Sequence, residues 1–152
     1  MVKIIDLEYE CKALVQEQYV KRGCELISDI GLKEVCYSLT INDYIFLTEE
    51  FKPIPLSEVR VYGDIYCIPK YSSVYVINFI HRPGRNLYVL VTKIYGMSVE
   101  WRALLLMKDK ETFILIRKEG SRRSIIFDLE RLLEALMTMY ISRFQAMPSL
   151  YA

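Results

Sequence analysis

The sequence predicts an α/β protein of the α+β kind: one domain, residues 1–152, with a mixed central β-sheet flanked by an N-terminal and a C-terminal helix. Three observations lead there. Apolar residues recur at helical spacing near both ends of the chain. The stretch between them is rich in β-branched and aromatic residues and is cut by Pro and Gly turns. A length of 152 residues, 53% hydrophobic, with no repeat or low-complexity linker, is enough to enclose one core.

Residues 6–22 read as the first helix. Leu7, Cys11, Leu14, Val15 and Tyr19 fall on one face, Asp6 caps the start and Gly23 closes the end. Residues 24–30 follow as a short strand ending at Gly31. Residues 32–50 suit either a strand pair or a helix, with Asn42-Asp43 as a break. Pro53 and Pro55 make residues 51–56 an extended connector. Residues 59–68 and 74–80 read as two strands joined by a turn at 69–73, and residues 81–86 (HRPGRN) as a loop. Residues 87–95 fit a third strand or a short helix. Residues 99–107 and 111–118 read as a hairpin about residues 108–110, with a helix from an N-cap at Ser98 as the rival. Leu129, Leu132, Leu133, Leu136, Met137, Tyr140 and Phe144 form a stripe across 128–144, the clearest helix, which Pro148 ends.

Lys and Arg total 20 and Asp and Glu 19, a net charge of +1. This composition excludes a disordered tail, a collagen-like repeat, a disulfide-dense miniprotein and a globally basic nucleic-acid coat. The charge is nevertheless divided. Residues 1–76 carry 8 basic and 12 acidic side chains, a sum of −4, and residues 77–152 carry 12 and 7, a sum of +5. Cys11, Cys24, Cys36 and Cys67 form no CxxC pair, so neither a zinc site nor a redox motif is indicated. The opening MVKIIDLEYE lacks the apolar core of a signal peptide, which predicts reduced, buried thiols in an intracellular, cytoplasmic protein. No uncharged apolar run reaches the roughly 18–20 residues of a membrane span, so no membrane is expected. Three Asn and three Gln beside 12 Tyr point to a thermophile.

Several chemistries lack their residues. The six glycines are too dispersed for a phosphate loop, and no GxSxG, HExxH or EF-hand pattern occurs. A lone histidine, His81, limits acid–base options. Asp64, in the run Tyr62-Gly63-Asp64-Ile65-Tyr66, is the carboxylate best placed by sequence to begin a metal site. Two-metal chemistry needs a second carboxylate and a Lys on the next strand. Residues 65–99 contain no Asp or Glu, so no metal ligand set is assigned.

This order resembles the PD-(D/E)XK nuclease superfamily, especially its RecB-type and CRISPR-associated members: an N-terminal helix, a "GD" strand, an "ExK" strand, a helix, two strands and a terminal helix. Gly63-Asp64 matches at residue level, while Asn78 or Phe79 stands near the Glu position. The resemblance implies a nuclease-like fold whose active site is degenerate, with Mg²⁺ entering only if an active nuclease persists. The chain also looks similar to archaeal tRNA-splicing endonuclease subunits, through Ser38-Leu39, Tyr44, Leu47, Glu49, Arg102-Ala103 and Lys108. That family cuts RNA without metal through Tyr, His and Lys, and Tyr75, His81 and Lys108 occur here in that order. This second resemblance implies a non-catalytic structural subunit.

The catalytic candidates are therefore Asp64, His81 and Lys108, and no cofactor is expected. Candidate nucleic-acid contacts are Arg82, Arg85, Lys93, Arg102, Arg117, Lys118, Arg122 and Arg123, because guanidinium forks suit phosphate. The expected function is a non-catalytic protein associated with DNA or RNA. The alternative is an interaction subunit, a homo-oligomer or an accessory-complex component, associating through the helix at 128–144 or through an edge strand at 74–80.

Overall fold

The uncharged run at residues 74–80 lies inside a six-stranded sheet and is buried on both faces. The computed structural model describes residues 10–109, 112–120 and 122–141. In chain order these form β1 (Ala13–Gln16), α1 (Glu17–Lys21), a 3-10 turn (Arg22–Leu26), α2 (Leu32–Tyr37), a second 3-10 turn (Ile41–Asp43), β2 (Ile45–Leu47), β3 (Pro53–Ile54), a third 3-10 turn (Leu56–Glu58) and β4 (Arg60–Tyr62). Then come β5 (Ile65–Ile68), β6 (Ser73–His81), β7 (Leu87–Tyr95), β8 (Ser98–Met107), β9 (Phe113–Glu119) and α3 (Arg122–Tyr140). The large sheet has the order β3-β2-β6-β7-β8-β9 and a small sheet the order β1-β5-β4, every ladder being antiparallel. The α+β class holds, but the central sheet is antiparallel throughout, not mixed.

Period-two alternation divides β6 between two cores. Tyr75, Ile77 and Phe79 face α3, which buries Ile125, Leu129, Leu132 and Leu136 at helical spacing. Val74 and Val76 face the small sheet, where Ala13, Val15, Tyr66 and Ile68 meet them. Ile80, Leu90 and Leu104 are covered by Cys24, Leu26, Leu32 and Cys36. The result is three layers: helix, large sheet, and an N-terminal layer of small sheet and short helices. Each fully buried Leu, Ile or Val contributes about 1.5–3 kcal/mol.

The N-terminal layer departs from the sequence reading. Residues 10–16 are not helical: β1 pairs with β5 from Ala13↔Ile68 to Gln16↔Ile65, and helix begins at Glu17. Asp6 and Leu7, the start of the expected helix, lie outside the described residues. A strand at 24–30 is replaced by the 3-10 turn, whose Gly23 presses on Leu90, where a Cβ would approach a side-chain carbon to 2.8 Å. Residues 59–68 form two strands, because Gly63 takes φ +64° and turns the chain at Gly63-Asp64. β5 and β6 belong to different sheets, so residues 69–73 cross between layers. An edge at 74–80 is likewise overturned, since β6 lies between β2 and β7. The hairpin β8–β9 prevails over the rival helix. α3 begins at Arg122, and Ser142–Phe144 and Pro148 lie outside the described residues.

The thiols are not reduced. Cys11 is bonded to Cys67 and Cys24 to Cys36, leaving no free cysteine. The first bridge ties the residues just before β1 to β5, where Cys11, Leu14 and Cys67 pack together. The second ties the 3-10 turn to α2. Both lie in the N-terminal layer.

A polar flaw sits between the two cores on that side. Asn78 is buried, and neither its amide nitrogen nor its oxygen has a hydrogen-bond partner among the described residues; the Thr92 hydroxyl is also unpaired. Burying an unpaired polar group costs about 1–3 kcal/mol.

Two outcomes follow. The bridges close loops of 56 and 12 residues, so by chain entropy Cys11→Ser with Cys67→Ser should cost about 4 kcal/mol and Cys24→Ser with Cys36→Ser about 3 kcal/mol, read by urea denaturation. Thiol titration of the unfolded, unreduced protein should find no free thiol. Asn78→Leu should raise stability by about 1–2 kcal/mol at unchanged m-value; a lower midpoint would show that the amide has a partner.

Candidate nucleic-acid interface

The catalytic candidates are not brought together. Asp64 occupies the β4–β5 turn, and its carbonyl accepts from Glu17 N–H at 2.8 Å. Leu14 N–H donates to Gly96 O at 2.8 Å, which ties the small sheet to the β7–β8 turn. His81 ends β6 and Lys108 follows β8, at the opposite end of the large sheet from that turn. The register runs His81↔Leu87 and Tyr88↔Leu106, with β7 intervening, so His81 and Lys108 stand about two interstrand spacings, roughly 10 Å, apart. Partial burial pulls the His81 imidazole below its ordinary pKa. Tyr75 is fully buried, and burial pushes its hydroxyl up to about 12. Among the described residues no group of three or more His, Cys, Asp or Glu is placed to hold a metal.

The basic candidates fall into three groups. Lys93 and Arg102 are internal, on opposite faces of the sheet. Lys93 Nζ lies 3.2 Å from Asp128 Oδ2 and 3.3 Å from Glu100 Oε2, and 5.5 Å from the Tyr75 ring centroid. Trp101 Nε1 donates to the same Asp128 oxygen at 3.2 Å. Burial opposes the lysine's charge, but Tyr75, Asp128 and Glu100 together lift its pKa above the ordinary value. The sequence places Glu100 there through a β-bulge: Lys93 pairs with Trp101 and Ile94 with Val99, so Glu100 is the extra residue. Gly120, at φ +113°, lets the chain turn into α3 against Trp101, whose Cβ would lie 2.7 Å from any Cβ added there. This node fastens α3 to the sheet.

Arg102 is nearly buried on the other face. Its Nε donates to Tyr19 O at 3.1 Å, Nη2 donates to the same carbonyl, and Nη1 donates to Glu119 Oε2 at 2.9 Å. It thereby holds α1 to the sheet and helps line a cavity of about 400 Å³ with Tyr19, Arg22, Met97, Ser98 and Val99. Arg22 is exposed there. Arg22, Arg102, Tyr19 and Ser98 thus line one cavity where the N-terminal layer meets the β7–β8 turn. Sequence reasoning missed Tyr19 and Arg22, which fell in the expected N-terminal helix.

Arg82 and Arg85 form the second group. The run Arg82-Pro83-Gly84-Arg85 is a β-turn with Arg85 N–H donating to Arg82 O at 2.9 Å and Gly84 at φ +77°, the positions that Pro and Gly favour in a type II turn. The loop rests on the N-terminal layer: Arg85 Nη1 lies 3.8 Å from Asp29 Oδ1, and the Arg82 guanidinium abuts Gly31. Both arginines remain exposed. The third group, Arg117, Lys118 and Arg123, is exposed beside the outer edge of β9 and the start of α3. Arg122 opens that helix, and its side chain lies outside the described residues.

Comparison with protein families, with curated proteins and with solved structures finds no match to this chain. None of the described helices is long and apolar enough to cross a membrane.

The internal group is separable from the exposed ones by experiment. Asp128→Ala leaves Lys93 half-buried with Glu100 alone and should cost about 3 kcal/mol in chemical denaturation. Lys93→Met with Asp128→Leu should recover most of that loss, since apolar replacement of both partners removes the stranded charge.

Proposed function

We propose that the protein binds nucleic acid without cutting it, gripping phosphate through the cavity formed by Tyr19, Arg22, Ser98 and Arg102 and through the Arg82–Arg85 turn. The observation that carries this reading is the convergence of Arg22 and Arg102 on one open, largely polar cavity beside a half-buried tyrosine. Guanidinium forks pair with phosphate oxygens, and a tyrosine ring offers a face on which a base stacks. Arg102 is held in place by its carbonyl and carboxylate partners and forms a fixed wall of the cavity, while Arg22 is the exposed cation that takes phosphate. The nuclease-like resemblance of the sequence agrees with a nucleic-acid ligand. The separation of Asp64, His81 and Lys108 agrees with binding alone.

Two disulfides fit either an oxidising compartment or the interior of a hyperthermophile, where intracellular bridges persist. Scarce amides favour the second, so we infer an intracellular protein of a thermophile. The protein belongs, on this reading, to a nucleic-acid complex in which another component supplies any chemistry.

Fluorescence anisotropy with single-stranded RNA and duplex DNA oligonucleotides tests the proposal. Affinity should fall linearly in log–log form with salt concentration. Arg22→Ala should weaken binding and reduce the salt slope by about one phosphate contact. Affinity that ignores salt, or its absence at low salt, would overturn the reading. Cleavage of either probe, abolished by Asp64→Ala, would replace it with a catalytic one.

A further inference from the structure

A second surface, on the opposite side of the large sheet from the basic cavity, carries an independent inference. β9 pairs with β8 and, among the described strands, with no other, so none of them takes up its outer backbone row. Beside it lies an apolar groove of about 150 Å³, walled by Phe113 and Leu115 of β9 and by Ile126, Leu129 and Leu133 of α3. Ile126 is 40% exposed. An open edge strand next to a helix-walled apolar groove is the geometry by which an extended segment joins a sheet: its backbone continues the ladder and alternate side chains enter the groove.

The edge also selects its occupant. A bulge falls between Leu115 and Arg117, since Leu105 pairs with Leu115 and Leu104 with Arg117, leaving Ile116 extra. It divides β9 into a regular apolar half, residues 113–115, and a half that carries the exposed Arg117, with Arg123 nearby in the first turn of α3 as a second cation and Glu119 tied to Arg102. Glu130 lines the groove two turns further along the helix, away from that cationic end. Antiparallel pairing of two copies centred on residue 117 would set Arg117 against itself, which disfavours self-association there.

We infer that this edge receives an extended segment of a partner protein, apolar at alternate positions over Phe113 and Leu115 and acidic beside Arg117. Such a partner contributes the missing seventh strand.

The probe is a capped hexapeptide with Asp and Glu at one end and alternating Leu and Thr at the other, titrated into the full chain and followed by amide NMR shifts and hydrogen exchange. Binding should saturate, with shifts confined to β9 and the first half of α3 and with slowed exchange of the outer β9 amides. Ile126→Glu should weaken it about tenfold, and Arg117→Glu should weaken the acidic peptide while strengthening one with Lys at those positions. A peptide with Pro at alternate positions, which cannot complete the ladder, should not bind. Failure of the acidic peptide to bind, indifference to Pro or to Ile126→Glu, displacement by an oligonucleotide, or protection of β9 that grows with protein concentration alone would each overturn the inference. Because Arg22 lies elsewhere, Arg22→Ala should leave peptide affinity unchanged, so this result and the nucleic-acid result are separable.

Discussion

Strand β6 has no polar face, and the rest of the molecule is arranged around that constraint. An antiparallel sheet ordinarily leaves one face to water, but eight consecutive residues of β6, from Ser73 to Ile80, are buried here. Two covers are therefore required. One is α3, a single amphipathic helix laid across Tyr75, Ile77 and Phe79 and fixed by the Lys93–Asp128–Trp101 node. The other cannot be a single helix, because the N-terminal segment must also supply β2 and β3 to the same sheet. It is assembled from pieces: a three-stranded sheet, two short helices and 3-10 turns.

Those pieces are too small to be stable alone. α1 has five residues and α2 six, well below the length at which isolated helices persist in water. They are held by what they touch. Two disulfides bind the layer to itself, Arg102 hangs Tyr19 from the sheet, and Gly23 brings the backbone close enough to pack on Leu90. The helical cover has one polar anchor, the Lys93–Asp128–Trp101 node, and no crosslink among the described residues. Its nineteen residues, of which Ile125, Leu129, Leu132 and Leu136 are buried, present a continuous stripe. The two sides of one sheet are thus stabilised by different means, chain crosslinking on one and apolar area on the other.

This difference explains which elements were legible in the sequence. The terminal helix, the turn at residues 82–85 and the β8–β9 hairpin could be read because local patterns determine them. β1 could not: Leu14 and Val15 are adjacent and both buried, since that strand too is covered on both sides, and with Leu7 and Cys11 they imitate a helical stripe. Cysteine spacing carries no connectivity, and one of the two bridges joins residues 56 positions apart. Lys93 and Arg102 looked like surface charges. The available signal was their setting, each a lone cation within an apolar strand, which favours a buried partner; the partner's identity rests on a bulge and on helix placement. The basic cavity escaped notice because Arg22 and Arg102 are 80 positions apart, and only the third layer joins them.

The position of β6 in the chain bears on how the protein is made. Its neighbours come from residues 45–47 on one side and 87–95 on the other, and the first covering layer is translated before the surface it covers exists. During vectorial synthesis the N-terminal half emerges with Cys11, Cys24 and Cys36 exposed and no platform on which to settle. Cys11 must then wait for Cys67 while a nearer sulfhydryl competes for it. The order of emergence therefore lets Cys24 and Cys36 pair early but leaves Cys11 open to mispairing until Cys67 emerges, and a nascent chain would profit from oxidation delayed until β5 has left the ribosome.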